Sequence, residues 1–251
     1  MPRALRGLRP DFPTILPDSV ISILPLMKSS SILILPSILS ARMGYLAEDC
    51  RQAMEAGADG LHVDIMDGHF VPNLTMGPDV LRAVREAVPA AHLSVHLMVM
   101  RPDLYAPRFV EAGADTVLIH VEAPCDLAAT LQGIRAAGKR AGLTLCPETP
   151  VSALQGYESL LDEVLIMTVH PGFGGQAFLA SGLAKIGEVA QLLPAVDISV
   201  DGGINAETGV QCAAAGANIL LAGSFLFKAA NMRDAIAGMR WQVESARGAG
   251  S

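Results

Sequence analysis

One short pattern recurs along the chain and constrains its fold more than any other feature. It reads EAGADGLHVDI at 55–65, EAGADTVLIHV at 111–121 and AAGANILLAGS at 214–224, with a looser copy, AAGKRAGLTL, at 136–145. Each copy passes from an alanine-rich segment through a glycine to an apolar run. Glycine readily takes the left-handed conformation that ends a helix, and a continuous apolar run is typical of a strand buried in a parallel sheet. The pattern therefore predicts repeated passages from helix to strand.

The spacing of these glycines predicts a closed barrel. Gly57 and Gly113 are 56 residues apart, Gly113 and Gly138 are 25 apart, and Gly113 and Gly216 are 103 apart. These separations are close to two, one and four units of roughly 25 to 28 residues, the length of one strand, one helix and two loops. We interpret the chain as a single α/β domain, a (β/α)8 TIM barrel of eight parallel strands. The predicted strands span residues 32–37, 60–66, 92–98, 116–122, 141–146, 163–169, 197–202 and 218–224, with helices between them.

The barrel domain is expected to occupy residues 32–245, which leaves both ends of the chain outside it. The segment 1–31 carries three arginines, but its prolines and acids interrupt any apolar core of a signal peptide. We interpret it as a disordered extension or a start assigned too early, because Met27 and Lys28 stand just before the first predicted strand. The last residues, ARGAGS, are expected to fray.

Composition narrows the class of partner and the compartment. The net charge is −7 and no basic run occurs, so neither nucleic acid nor an anionic membrane is an expected partner. No apolar run approaches the roughly 18 residues of a membrane span. The four cysteines (Cys50, Cys125, Cys146 and Cys212) form no CxxC pair, which argues against a disulfide framework and for a reducing cytoplasm.

Polar residues lie on the inward face of three predicted strands. Alternate strand residues point into a barrel, and active sites lie at the carboxyl ends of its strands. This parity places four side chains together inside the mouth: His62, Asp64, His96 and Asp201. Two imidazoles and two carboxylates suit a divalent transition metal, and a buried carboxylate needs such a partner. The alternative is a cluster of polar groups that only hydrogen-bond to one another.

Glycines follow three adjacent strands near the carboxyl end of the chain. They occur in PGFGGQ at 171–176, DGG at 201–203 and AGS at 222–224. Barrels often bind phosphate with the loops after strands 7 and 8, and glycine lets backbone N–H groups approach an anion closely. We therefore expect a phosphate site here, to which Ser224 adds its hydroxyl. Without a lysine cluster, backbone amides and helix ends would hold the phosphate.

A metal beside a phosphate site suggests a phosphorylated ketose as substrate. A metal can polarise the ketone and stabilise an enediolate. One aspartate could remove the proton α to the carbonyl, and the other could return a proton on the opposite face. Two acids therefore favour epimerisation over a ketose–aldose isomerisation, which needs only one acid–base group.

Several stretches together closely resemble ribulose-phosphate 3-epimerases over nearly the whole predicted barrel. They are PSILSA (36–41), HVDIMDGHFVPNLTMGP (62–78), HLMV (96–99), VHPGFGGQAF (169–178), VDGGI (200–204) and AGS (222–224). The resemblance implies a metal-dependent (β/α)8 enzyme of the pentose phosphate pathway. It would interconvert D-ribulose 5-phosphate and D-xylulose 5-phosphate.

The resemblance also implies a role for individual residues. The metal ligands would be His62, Asp64, His96 and Asp201, with Asp64 as proton acceptor and Asp201 as proton donor. One divalent ion per subunit is implied, with Zn²⁺ expected and Fe²⁺, Mn²⁺ or Co²⁺ as alternatives. The family also implies a homo-oligomer without fixing its size. The implied substrate contacts are Ser37, His96, Gly172, Phe173, Gly174, Gly175, Gly202, Gly203, Gly223 and Ser224.

Other candidates receive smaller roles. Met66, Met98 and Met167 lie at strand ends that line the reacting centre in the family, although flexible core filling explains them equally well. His120 has the parity of a site residue but no ligand role in the family, so we expect it behind the ligands. His170 departs from the residues found in relatives and lies beside the phosphate loop.

Three alternative functions remain at this point. The same chemistry could act on a hexulose phosphate such as D-allulose 6-phosphate. A phosphosugar-binding barrel without catalysis would not need both aspartates, which are present. A barrel lyase or decarboxylase often uses a lysine at a strand end, and none of Lys28, Lys139, Lys185 and Lys228 lies there.

Overall fold

The computed structural model describes residues 31–248. Eight parallel strands follow one another around a sheet in the order β1-β8-β7-β6-β5-β4-β3-β2. A bridge between Ser37 and His62 joins the end of β1 to β2. This contact brings the two edge strands together, so the predicted (β/α)8 barrel is confirmed. The strands are β1 (Leu33–Pro36), β2 (Gly60–Met66), β3 (His92–Met98), β4 (Thr116–His120), β5 (Arg140–Leu145), β6 (Glu163–Met167), β7 (Asp197–Asp201) and β8 (Ile219–Ala222).

Helices cover the outside of the barrel. They are α1 (Leu46–Glu55), α2 (Pro78–Ala87), α3 (Pro102–Glu111), α4 (Leu127–Ala136), α5 (Gly182–Leu192), α6 (Ala206–Ala215), the single turn α7 (Ser224–Phe227) and α8 (Met232–Gly248). Between β5 and β6, two short 3-10 turns, Val151–Leu154 and Glu158–Leu160, replace the predicted helix. Gly156 lies between these turns with a φ of +88°, a left-handed conformation that ends a helix. The predicted extension lies outside the described residues except for Ser31, and so do residues 249–251.

The recurring glycines end helices, as the sequence predicted. Gly57, Gly113, Gly138 and Gly216 each follow a helix, and their φ angles are 98°, 108°, 72° and 120°. The polar residue two positions after the glycine has a further role that the sequence did not reveal. Its side chain accepts a backbone N–H from the neighbouring strand in three of the four copies. These bonds run from Ile34 to Asp59 (2.7 Å), from Leu93 to Asp115 (3.0 Å) and from Ile198 to Asn218 (2.8 Å).

The predicted inward and outward faces of the strands are confirmed by two separate groups of buried apolar residues. Leu61, Val63 and Ile65 of β2 belong to the large core that also contains the helices. A second group fills the middle of the barrel and comes only from β1, β4, β6, β8 and the residue after Thr168. Its members are Leu35, Leu118, Leu165, Met167, Val169, Ile219 and Leu221. The other inward positions are therefore free to carry polar groups.

Charged residues close the amino-terminal end of the barrel. The Arg140 guanidinium lies 2.5 Å from Asp197 Oδ2, and Asn218 Nδ2 donates to the other oxygen of Asp197 at 2.6 Å. Asp197 and the neighbouring Glu163 are both buried. Burial raises the pKa of Glu163, and the Arg140 charge opposes that rise. The positive charge of Arg140 therefore stabilises two acidic side chains that are buried away from water.

Replacing Arg140 with leucine is expected to destabilise the barrel strongly. Removing one partner of a buried ion pair leaves an uncompensated charge and typically costs about 3 to 5 kcal/mol. The free energy of unfolding, measured by urea denaturation, should fall by that amount. The matched control is Arg82→Leu, because the ion pair of Arg82 with Asp79 lies on the surface of α2. Equal effects of the two substitutions would contradict this account.

Among residues 31–248, no helix has the length and apolar character needed to cross a bilayer.

Candidate metal centre and substrate cleft

The structure brings together the four residues that parity selected. His62 and Asp64 lie on β2, His96 on β3 and Asp201 at the end of β7. One ligand atom from each of them lies within 4.8 Å of the others. The first three side chains are buried, whereas Asp201 is partly exposed to the mouth of the barrel. The prediction that three separate strands build one cluster is thus realised in the fold.

Asp64 lies at the centre of this cluster. Its Oδ1 is 3.2 Å from His96 Nδ1 and 3.4 Å from His62 Nε2. Its Oδ2 accepts a hydrogen bond of 2.6 Å from the Ser37 hydroxyl, which follows β1. One carboxylate oxygen therefore faces both imidazoles, and the other is held by the serine.

The cluster fits a metal ion on two observations. His62 Nε2 is buried and has no hydrogen-bond partner among the described residues, although it points at Asp64. The other nitrogen of His62 lies 3.3 Å from the Ser94 hydroxyl, which can orient the ring. A buried nitrogen without a partner is costly, and two imidazoles with two carboxylates are the ligand set that divalent transition metals accept. The four residues could therefore hold a divalent metal.

The two aspartates have opposite proton affinities. Burial raises the pKa of Asp201, and the charge of Asp64 raises it further. Burial would also raise the pKa of Asp64, but without a metal ion the positive charge of His62 and the hydrogen bond from His96 outweigh burial. The pKa of Asp64 is therefore lowered. Asp201 therefore holds a proton more readily than Asp64, an arrangement that suits an acid and a base.

A cleft of about 430 Å³ opens above the cluster. This volume suits a small-molecule ligand. Asp64 and Asp201 form part of its wall, whereas His62 and His96 lie below it. All the other residues expected to contact substrate line the cleft: Ser37, Gly172, Phe173, Gly174, Gly175, Gly202, Gly203, Gly223 and Ser224.

Two of these glycines are required by the backbone. Gly202 has a φ of +118°, and a Cβ atom there would lie 2.4 Å from the Val169 side chain. Gly203 has a φ of +66°, and its Cβ would lie 2.7 Å from the backbone nitrogen of Phe178. Any side chain at these positions would push the loop after β7 away from the loop after β6. The DGG motif therefore allows the close approach of the two loops that form this wall.

The three methionines also line the cleft. Met66 and Met98 pack with Val71 in a small apolar group at the mouth, whereas Met167 belongs to the interior of the barrel. They form an apolar wall beside the two aspartates, and each is also a packing residue.

The remaining histidines take different positions. His69 bonds within its own loop, with Nδ1 2.9 Å from the Asp67 carbonyl oxygen. His92 lies at the far end of β3 near the Thr116 hydroxyl. His170 is exposed, lines the cleft and lies 3.4 Å from Glu148. His120 is buried directly behind His96, as its strand parity predicted.

Sequence reasoning missed several residues of the cleft. Lys228, Gln176, Asn205 and Thr208 all line it. Lys228 lies four residues after Ser224 and just beyond α7. One positively charged side chain therefore lies near the glycine loops, although the sequence has no lysine cluster there. Its position on a helix end, outside any strand, gave no sequence signal.

Comparisons with known proteins identify the family of the chain. The family described as "Ribulose-phosphate 3 epimerase family" matches residues 33–227. The chain is 45% identical over 210 residues to a protein of Bacillus subtilis (strain 168) named "Ribulose-phosphate 3-epimerase", and the match covers 82% of this chain and 96% of that protein. A protein of the same name from Escherichia coli (strain K12) is 43% identical over 215 residues, which cover 84% of this chain and 96% of the relative.

Solved structures of other proteins share the architecture. One titled 3-hexulose-6-phosphate synthase has a TM-score of 0.61 and 22% identity, covering 85% of this chain and 98% of its own. A 3-keto-L-gulonate-6-phosphate decarboxylase from Vibrio cholerae O1 has a TM-score of 0.66 and 13% identity, covering 86% and 99%. At these identities the likeness shows the barrel fold alone.

Proposed function

Since the chain belongs to the ribulose-phosphate 3-epimerase family, we propose that Asp64 and Asp201 carry out the family's reaction by proton transfer on opposite faces of one carbon. The activity is that of an isomerase, the interconversion of D-ribulose 5-phosphate and D-xylulose 5-phosphate, and it fits the pentose phosphate pathway. The observation that carries the assignment of these two residues is their position, because both carboxyl groups line the cleft at the mouth of the barrel. They come from β2 and β7, which β1 and β8 separate in the barrel.

The proposed steps follow from the positions of the two aspartates on different sides of the cleft. Ionised Asp64 removes the C3 proton of D-ribulose 5-phosphate from one face, which leaves a planar enediolate. Protonated Asp201 then delivers a proton to C3 from the opposite face and inverts that carbon. In the reverse direction Asp201 is the base and Asp64 the acid. Proton transfer by a positioned side chain typically contributes about 10² to 10⁴ in rate.

We propose that His62, Asp64, His96 and Asp201 bind one divalent metal ion per subunit, with Zn²⁺ as the expected ion. Fe²⁺, Mn²⁺ and Co²⁺ accept similar nitrogen and oxygen ligands. When bound, such an ion supplies Lewis-acid polarisation of the ketone and balances the negative charge of the enediolate. Ser37 keeps one oxygen of Asp64 turned away from the imidazoles through its 2.6 Å hydrogen bond. The hydroxyl thus orients the base.

We propose that the glycine loops after β6, β7 and β8 hold the phosphate of the substrate. Their glycines line one side of the cleft together with Ser224 and Lys228. Lys228 adds a positive charge to what backbone N–H groups can provide. The phosphate would then fix the sugar chain so that C3 lies between the two aspartates.

Replacing Gly223 with alanine is expected to weaken substrate binding. A Cβ atom there would lie 2.7 Å from the Ser40 hydroxyl, which also lines the cleft, so either the Ser40 side chain or the loop after β8 must shift. The KM for D-ribulose 5-phosphate should rise about tenfold, equivalent to about 1.4 kcal/mol, and kcat should change less. Gly238→Ala is the matched control, because no atom lies within 4 Å of a Cβ in that position on α8. A KM unchanged by Gly223→Ala would show that the cleft wall at Gly223 and Ser40 does not contact the substrate.

The test of the proposed function is deuterium exchange at C3. The protein is incubated with D-ribulose 5-phosphate in deuterated water and followed by NMR. Xylulose 5-phosphate carrying deuterium at C3 is the expected product, and D-allulose 6-phosphate should react more slowly. Faster turnover of the hexulose phosphate would reassign the substrate, and no exchange with either sugar in the presence of metal would reject the mechanism.

We also propose that the protein is a cytoplasmic homo-oligomer. All four cysteines lie within the described residues and none forms a disulfide, as suits a reducing compartment. Large apolar side chains near the mouth are exposed, among them Tyr45 (64%) and Leu74 (74%). Light scattering coupled to size-exclusion chromatography would give the number of subunits.

A further inference from the structure

A chain of buried hydrogen bonds leads outward from His96. Its Nδ1 faces Asp64 at 3.2 Å, and its Nε2 lies 2.9 Å from Nε2 of His120. The two rings are stacked with centroids 4.9 Å apart, and both are buried. Only Nδ1 of His96 is therefore available to the metal cluster, and the other nitrogen is committed to His120.

The chain ends on a carboxylate that can only accept hydrogen bonds. His120 Nδ1 lies 3.0 Å from Glu122 Oε2. The other oxygen of Glu122 accepts the backbone N–H of Cys146 at 3.0 Å and the hydroxyl of Thr149. These donors keep the Glu122 side chain in place beside His120.

The carboxylate determines which nitrogen of each ring carries a hydrogen. Because Glu122 accepts, His120 must carry its hydrogen on Nδ1 and present a lone pair on Nε2. That lone pair accepts a hydrogen from His96 Nε2. His96 is then left with a lone pair on Nδ1, which points at Asp64 and the other ligands.

We propose that His120 and Glu122 are positioning residues that fix His96 in the tautomer able to bind metal. The inference rests on the proposed role of His96 as a ligand. Outer partners of this kind orient ligating imidazoles and raise their basicity. A carboxylate usually contacts the ligating imidazole directly. Here Glu122, which follows β4, acts on His96 of β3 through the imidazole of His120.

A different use of the same residues conflicts with this hydrogen-bond order. His120, Glu122 and Cys146 also bring three ligand atoms within 4.8 Å and could be read as a second metal site. A metal on His120 Nδ1 would force the hydrogen of His120 onto Nε2. That hydrogen would point at His96 Nε2, and the hydrogen of His96 would have to lie on Nδ1, which blocks the first site. With neutral rings the two sites exclude each other, so a single metal is expected.

The test measures metal binding without substrate. Metal-stripped protein is titrated with Zn²⁺ against a competing chelator, which gives both stoichiometry and Kd. We expect one equivalent in the wild-type protein and a Kd about 10- to 100-fold weaker in Glu122→Gln. Glu148→Gln is the charge-matched control, because Glu148 is an exposed acid near the same mouth that does not contact His120. Its Kd should stay within about twofold of wild type, the scatter expected of a surface substitution.

Two further measurements separate positioning from structural damage. In ¹⁵N-histidine NMR of the loaded wild-type protein, the hydrogen of His96 should lie on Nε2, and Glu122→Gln should weaken this preference. Thr149→Val is a milder variant that removes one donor to Glu122 and should weaken the Kd in the same direction by less. Cys146→Ser should leave the stoichiometry at one.

Specific results would overturn the proposal. A Kd for Glu122→Gln equal to that of Glu148→Gln would show that Glu122 does not act on His96. Two equivalents of metal in wild type, with one lost in Cys146→Ser, would establish the second site instead. Neither result would affect C3 exchange by the wild-type protein, so failure of this inference is distinguishable from failure of the proposed function.

Discussion

Asp201→Asn is expected to abolish epimerisation while leaving half of the reaction intact. Asparagine has nearly the same shape as aspartate but cannot deliver a proton to C3. Asp64 can still remove the C3 proton of D-ribulose 5-phosphate and return a deuteron from solvent to the same face. Deuterium should therefore enter D-ribulose 5-phosphate, whereas formation of xylulose 5-phosphate falls by about 10² to 10⁴.

Asp64→Asn is the mirror-image control for this experiment. It should exchange the C3 proton of D-xylulose 5-phosphate through Asp201 and leave D-ribulose 5-phosphate unlabelled. Both aspartates are also proposed metal ligands, so the metal content of each variant is measured and the assays are run with saturating metal. Loss of exchange from both epimers in both metal-loaded variants would contradict a reaction with one acid–base group on each face.

Removal of the metal is expected to abolish activity and to destabilise the barrel. Without a cation, His62 Nε2 has no hydrogen-bond partner among the described residues, and two carboxylates lie close together in a buried site. A ligand present at about 1,000 times its Kd stabilises the folded state by about 4 kcal/mol. In a chain of this size each kcal/mol raises Tm by about 2 to 4 °C. Thermal unfolding with chelator and with added Zn²⁺ measures the difference.

A pair of matched variants assigns that effect to the cluster. His62→Asn should lose most of the rise in Tm on adding Zn²⁺. His69→Asn should keep it, because His69 lies exposed in the loop after β2 and bonds to Asp67 of the same loop. An equal rise in both variants would place the metal elsewhere in the protein. Restoration of activity by Zn²⁺ in the stripped wild-type protein completes the test.

Much of the architecture was determined by local features of the sequence. Glycine after an alanine-rich segment requires only its own backbone freedom, so Gly57, Gly113 and Gly216 marked helix ends without any knowledge of the fold. The alternation of strand side chains is equally local. It put His62, Asp64, His96 and Asp201 on one face of their strands, and the rule for barrel active sites then brought these strands together.

The sequence was less informative where a property depends on distant partners. The repeated strand and helix unit predicts a helix between β5 and β6, but that connection contains only two short 3-10 turns. Arg140 was placed just before a strand, and nothing local linked it to Asp197, which lies 57 positions further along. Lys228 faces the cleft only because α7 ends beside the loop after β7.

The chemical state of the site was decided by the tertiary structure alone. Asp64 and Asp201 are the same residue type and both are buried by the closed barrel. Their pKa values diverge because the His62 charge and the His96 hydrogen bond lower that of Asp64, whereas the Asp64 charge raises that of Asp201. The path from His96 through His120 to Glu122 likewise exists only once β3 and β4 are paired. The sequence determined which residues face inward, because that depends on alternation along a strand. The structure determined which of them meet and which carry protons, because desolvation and hydrogen bonding depend on neighbours that only the closed barrel supplies.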